Sequence, residues 1–446
     1  MRWKGLLASV VVLAAMGGAI YWSNRAKKAE ESKPSKDAPP QILSIPSDQI
    51  RQIEIRRAGS GPLIVRREES GSWTMTTPPQ YAVDQDAASG MVTTLSSLNA
   101  DRLVEEKPAD LAEFGLASPA LEVVVELKDG KTRRLLIGDE TPTGYGWFAK
   151  LADDPRVFTI ASYNKSSLDK TPRDLRDKRL LTFSTDKLTR VELMAKGQTI
   201  EFGKNAQGEW QIIRPQPLRA DGGQVEEFIR KLSGARMDAY ASEEDEKKAN
   251  AAFASAALVG IARFTDASGT QQLEVRRDKE KNYYARSSVV AGAHKVYSDV
   301  GEAVDKSLDD FRNKKLFDFG WSDPSKIEIR DGSKLVVYEK SGDKWMEGSR
   351  QLDAASVNAL VDKLRDLTAT RFATTGFTTP VFEATVTSNE GKRVEKVLIS
   401  RQGQSCFARR EGEPAIYELD VKSLEDLQKA ATGVKPYEPP KAEKKK

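Results

Sequence analysis

The stretch DLRDKRLLTF at residues 174–183 returns 136 residues later as DFRNKKLFDF at 310–319. Two similar segments a domain's length apart read as seams between copies of one unit, and landmarks on either side agree. A tryptophan follows a glycine-containing turn at SGSW (Trp73), QGEW (Trp210) and SGDKW (Trp345), at separations of 137 and 135 residues. An aspartate suited to a helix N-cap comes next each time: Asp84, Asp221 and Asp353. Apolar residues then recur at helical spacing: Met91, Val92, Leu95 and Leu98; Val225, Phe228, Ile229 and Leu232; Val357, Leu360, Val361 and Leu364. Counted four residues on from the last leucine of each helix, Leu98, Leu232 and Leu367, stand Arg102, Arg236 and Arg371.

Downstream, each copy shows a hairpin with a glycine turn (VVVELKDGKTRRLLI, IARFTDASGTQQLEV, ATVTSNEGKRVEKVLI). A strand pair follows: GWFAK with RVFTI, NYYAR with HKVYS, CFARR with AIYEL. A Ser-Leu pair closes each unit at Ser167-Leu168, Ser307-Leu308 and Ser423-Leu424. The order predicts three strands, a helix, about four antiparallel strands and a closing helix. That pattern is α+β, with three tandem repeat units of antiparallel sheet plus helices. The units are placed at 43–181, 182–317 and 318–432. The seam segments read as joints whose bases pair with acids on a connecting helix, in an extended array where neighbours contact neighbours. The copies are not identical. GLASP (115–119) returns as GFTTP (376–380), but the second copy has FASAAL instead.

Composition narrows the chemistry. In 446 residues, 39% are hydrophobic and 30% charged, which is globular. One histidine, His294, and one cysteine, Cys406, exclude a disulfide framework, a Cys/His zinc site and an HExxH protease. The net charge of +4 resides in the flanks: without Arg2, Lys4, residues 25–37 and the tail from Lys435, 58 bases face 61 acids. The folded body thus lacks the basic footprint of a nucleic-acid binder.

Residues 5–22, GLLASVVVLAAMGGAIYW, carry no charge and are long enough to span about 27 Å as a helix. With Tyr21 and Trp22 at one end and Arg25, Lys27 and Lys28 beyond, residues 1–25 read as a transmembrane anchor. The competing reading is a signal peptide cleaved near Gly17-Gly18-Ala19. Residues 26–42 read as a solvated linker and 433–446 as a disordered basic tail. A short anchor before one long soluble region places that region outside the cytoplasm, in the periplasm.

Motifs of catalysis fail by context. Gly144–Ala149 satisfies GxGxxA by letter, yet a strand follows it instead of a helix. Gly130-Lys131-Thr132 lacks the first P-loop glycine and reads as a hairpin turn. His294 occurs in one copy only, which points to a surface or half-buried place; Cys406 reads as a small packing residue. No carboxylate pair recurs at fixed spacing, and a carboxylate hydrolase would need two acids about 5–10 Å apart in a concave pocket. No catalytic, metal-binding or cofactor-binding residue is assigned. Trp73, Trp210 and Trp345 read as core, with sugar stacking the other role; Arg102, Arg236 and Arg371 read as intramolecular ion pairs, with an anionic partner the other role.

The series of Trp, capped helix, GLxxP, LLIGDETP, GWFAK…RVFTI and DLRDKRLL resembles the bacterial family called domain of unknown function 4340, over about residues 43–430. EFGLASP (113–119) and DLRDKRLLTF carry most of the likeness; the second copy lacks GLxxP and LLIG. The resemblance implies an N-terminally anchored inner-membrane envelope protein, often encoded beside ABC-type transporters of the gliding-motility kind, with no established activity or catalytic residues. The expectation is a non-enzymatic accessory or scaffold of such a complex, with an ABC permease or another envelope protein as partner. The alternative is an envelope glycan- or lipid-binding module using Trp147, Phe148, Tyr283, Tyr284 and Phe407, provided those rings are exposed.

Overall fold

The computed structural model describes residues 40–79, 81–239, 241–321 and 324–439. The expected anchor at 1–25 lies outside the described residues. No helix among the described residues is long and apolar enough to cross a membrane.

Three antiparallel sheets follow one another along the chain. In the first, β1 (Ile50–Arg57), β2 (Leu63–Arg67) and β3 (Trp73–Thr77) lead to helix α1 (Gln85–Ser96). Then come β4 (Arg102–Glu105), β5 (Leu121–Leu127), β6 (Thr132–Glu140), β7 (Gly146–Leu151), β8 (Val157–Ala161) and the closing helix α2 (Ser162–Leu168). The strands lie in the order β3-β2-β1-β5-β6-β7-β8-β4, so the chain returns from α1 to pair β5 against β1. The second copy repeats this with β9 (Arg190–Ala195), β10 (Gln198–Lys204), β11 (Trp210–Arg214), β12 (Leu218–Arg219), α3 (Gly222–Ser233), α4 (Glu243–Ser255), β13 (Ala257–Asp266), β14 (Gly269–Arg277), β15 (Tyr283–Ser287), β16 (Ala293–Val296) and α5 (Ser298–Val304). A short helix, α6 (Leu308–Phe311), precedes the third copy. There the elements are β17 (Lys326–Asp331), β18 (Lys334–Ser341), β19 (Lys344–Glu347), β20 (Arg350–Gln351), α7 (Ala354–Arg365), β21 (Arg371–Ala373), β22 (Phe382–Ser388), β23 (Arg393–Gln402), β24 (Ser405–Arg410), β25 (Ile416–Leu419) and α8 (Val421–Thr432). Seven strands keep one spatial order in all three sheets; the short strands β4, β12, β20 and β21 are additions at the edges.

The sequence pattern explains the layers. Leu121, Val123 and Val125 alternate along β5 and point to one face, where Ala88, Met91, Val92 and Leu95 of α1 cover them. Asp84, Asp221 and Asp353 cap the three central helices through backbone N–H groups of the first turn, as their spacing predicts. Each copy has its own apolar core, made from residues within 42–175, 180–311 and 316–431. The cores therefore change over inside the seam segments, a few residues before the ends expected at 181 and 317, because Leu180-Leu181 and Leu316-Phe317 already serve the following copy. The chain divides into two compact units, one up to Lys178 and one from Arg179 that holds the second and third sheets.

Other expected landmarks shift. Ile42 is buried and its N–H donates to Leu98 O (2.8 Å), so the fold begins before the end assigned to the linker. Residues 433–439 are ordered in place of a tail: Asp353 N–H donates to Lys435 O and Tyr437 N–H to Gln351 O. Ser307-Leu308 lies beyond the closing helix α5 and is no counterpart of Ser167-Leu168. Ser307 instead caps α6 with Asp310, as Thr171 pairs with Asp174.

The paired loss of GLxxP and LLIG from the second copy has a steric cause. In the first copy the 112–116 segment covers the sheet face opposite the helices, with Phe114 edge-on to Phe148 at 5.1 Å. Gly115 has φ +65°, and Gly138 in β6 lies so close beneath that a Cβ there would stand 2.1 Å from Phe114 O. Strand pairing puts Arg276 at the Gly138 position. In the second copy α4 supplies the cover, and the Arg276 guanidinium lies 4.8 Å from the Phe253 ring centre of that helix. A helix-borne phenyl and a long cation fill the place of a loop and a glycine.

Candidate functional site

The best-developed polar cluster lies at the seam between the second and third copies, inside one compact unit. The seam segment is extended after α6, not the connecting helix expected, and it joins by apolar side chains: Phe311 enters the second core, Leu316 and Phe317 the third. Its backbone is tied on both sides. Asp221 N–H donates to Phe311 O (2.8 Å) and Leu316 N–H to Leu367 O (2.9 Å).

Over this seam Arg219, at the end of β12, reaches into the third copy. It pairs with Asp318, donates to Lys315 O (2.6 Å) and Tyr417 Oη (3.0 Å), and places Nε 2.9 Å from Glu413 Oε1. Tyr417 Oη donates to Glu413 Oε2 (2.8 Å). Arg410 binds Glu413 (2.8 Å), Glu395 (3.0 Å) and Leu316 O (2.6 Å). Burial works against the charge on Arg219, but Asp318, Tyr417 and Glu413 overcome it and raise its pKa. Burial likewise pushes the Tyr417 phenol up, against the pull of Arg219. Each carboxylate is taken up by a guanidinium and the phenol keeps its proton. The arrangement is a lock.

The clasp belongs to one seam. Equivalent backbone bonds align Arg219 with Ala82 and Gln351. A search for recurring residues passes over it for that reason.

A smaller clamp holds the first unit, where Asp169 accepts from Arg57 and Lys165. Burial raises the pKa of its carboxyl, yet the bonds from Lys165 and Arg57 lower it further, and the net shift is downward. With the folded pKa below the unfolded value of about 3.9, the stabilisation is present above that pH and lost as pH falls through the folded value. Asp169→Asn is therefore expected to cost about 1 kcal/mol at pH 7 and progressively less as the pH falls below about 3.9, as urea titrations over a pH series would show.

The arginines do not form one set. Leu43, Leu180 and Leu316 donate to the carbonyls of Leu98, Ala235 and Leu367, so Ala235 takes the place of those leucines. Leu232 lies one turn back inside α3, like Leu95 and Leu364, and counting from it slips the alignment by three residues. Ala239 stands where Arg102 and Arg371 stand. Arg102 is exposed at the start of β4, Arg236 is exposed opposite Arg179, and Arg371 forms a two-pronged pair with Glu418 at 2.8 and 3.0 Å.

The tryptophans are equivalent but not equally buried. Trp73 and Trp345 are 4% and 3% exposed, whereas Trp210 is half-buried. In every copy a base on the neighbouring strand lies over the ring: Arg67, Lys204 and Lys340, at 5.9, 4.9 and 5.5 Å. A second recurring base was legible in GWFAK, NYYAR and CFARR. Lys150 is buried and donates to Leu151 O, while Arg286 and Arg409 lie over Phe253 and Phe377 of their copies' covers.

Trp147, Phe148, Tyr283, Tyr284 and Phe407 are buried or half-buried, so none is exposed as the glycan- or lipid-binding alternative requires of them. His294, expected at or near the surface, is buried because its strand position matches core residues Phe158 and Tyr417; its Nε2 lies 3.0 Å from Ala291 O. Cys406 is buried, and burial pushes its thiol pKa up. No group of three or more metal-ligating side chains occurs among the described residues.

The family model described as a domain of unknown function (DUF4340) matches residues 73–254 and 261–385. The chain belongs to this family. The gap in the DUF4340 match, residues 255–260, takes in the end of α4 and the start of β13, where the second copy departs from the other two. No curated protein and no solved structure matches the chain.

Proposed function

We propose that this DUF4340 chain is a non-enzymatic scaffold, held in the bacterial inner membrane by residues 5–22 with its repeated sheets on the periplasmic side. One observation carries the reading: the polar features that recur in all three copies are spent on the fold. The aspartates cap helices, the bases on the tryptophans brace hairpins, and the bases on β7, β15 and β24 serve their own copies. Repeated units whose recurring acids and bases are internally satisfied suit reach and docking better than turnover.

The partner in this proposal is an ABC-type export or gliding-motility complex, a link that rests on the family resemblance. Co-purification of tagged full-length protein from native membranes, with mass spectrometry, tests it. Recovery of an ABC permease in stoichiometric amount is the expected result; recovery of the chain alone would remove the accessory role.

A further inference from the structure

The three equivalent tryptophans differ in one respect that the repeat does not explain. In the first copy Gln85, the first residue of α1, braces Trp73: its Oε1 accepts from Trp73 N–H (2.7 Å) and its Nε2 donates to Trp73 O (2.9 Å). In the second copy that helix position is Gly222. A cleft of about 400 Å³ opens there, lined by Trp210, Gln211, Glu226 and Glu209 of the second copy and by Asn313 and Asp318 of the seam. That volume is in the range of small-ligand sites. The indole N–H of Trp210 finds no acceptor within the protein, although it is shielded.

The lining selects a ligand class. Of the three acids that line the cleft, Glu209 pairs with Arg393 and Asp318 with Arg219, so most of the charge is compensated and Glu226 leaves a slight acidic excess. Donors and acceptors stand side by side around a half-buried aromatic ring, which suits a ligand with hydroxyl groups on its edge and C–H groups on its face. A polyanion would meet Glu226 and Glu209, and a polycation would meet Arg219. We propose that the cleft beside Trp210 binds a neutral oligosaccharide. Among the described residues the site occurs once, because it combines the glycine of the second copy with the seam residues that follow. It goes beyond the scaffold reading and does not depend on the transporter link.

The test is calorimetric titration of the purified full-length protein with cellotetraose, chitotetraose, maltotetraose and mannotetraose. At least one is expected to bind, and Trp210→Ala should weaken binding about tenfold or more. Gly222→Gln is the decisive variant, because it installs the brace of the first copy. A Cβ there would lie 3.8 Å from Trp210 Cδ1, an ordinary contact, so the protein should keep its melting temperature while losing the ligand. Failure of all four sugars to bind, or binding that Gly222→Gln leaves unchanged, would overturn the proposal. Co-purification with a permease would be unaffected by either outcome, so the two readings fail separately.

Discussion

Gly138→Ala is expected to destabilise the first unit by about 3 kcal/mol, on the order of 10 °C in its melting temperature. The added Cβ would stand 2.1 Å from Phe114 O and 2.9 Å from the Gly115 carbonyl carbon, and both neighbours are backbone. A side chain could rotate away; this backbone cannot move without lifting the 112–116 cover. Gly115 cannot give way, because its own missing Cβ would lie 2.8 Å from Asp139 N. Lifting the cover exposes Phe114 and Phe148 together. Arg276→Ala, at the matching place in the second copy, should cost only about 1 kcal/mol, since it removes a contact to Phe253 without a clash. Denaturant titration of the two variants checks the contrast. Equal effects would show that the loop and β6 do not interlock as described.

Arg219→Met should have a comparable effect in the second unit, about 3 kcal/mol, because it leaves two partly buried acids, Asp318 and Glu413, to share Arg410 as their one remaining guanidinium. The figure sits at the low end for a broken buried pair, since the Arg219 side chain retains 18% exposure. Arg219→Lys should not restore the clasp: one ammonium cannot serve Asp318, Lys315 O, Tyr417 and Glu413 from one plane. Adding Asp318→Asn to Arg219→Met should recover part of the loss, because it removes one of the two acids that then compete for Arg410. Additive losses in the double variant would mean that the two side chains do not act together.

Much of this fold was legible because its repeating features are local. A capping aspartate, a glycine turn and alternating apolar residues act within a few positions, so they survive in each copy and can be counted. The seam segments were legible too, since Leu175 and Phe311 must fill one core while Leu180 and Leu316 fill the next. What escaped was long-range or unique. Arg219 and Glu413 are 194 residues apart and occur as partners at one seam, where neither spacing nor recurrence could pair them. Arg236 was misplaced because Ala235 fills the space of a leucine, and an alanine gives no periodic signal. The half-open state of Trp210 goes with Gly222 at the helix position where the first copy has Gln85, a difference that emerges only when the copies are set side by side.

Amide hydrogen exchange along the full-length chain, read by mass spectrometry, tests the triplicate architecture most directly. Protection should peak three times at matching places: over Leu121–Leu127, Ala257–Asp266 and Phe382–Ser388, the strands that pair on both sides at the middle of each sheet. The short edge strands β4, β12, β20 and β21 should exchange soonest. Protection confined to one or two of the three central strands, or peaks that do not repeat at these positions, would contradict the account.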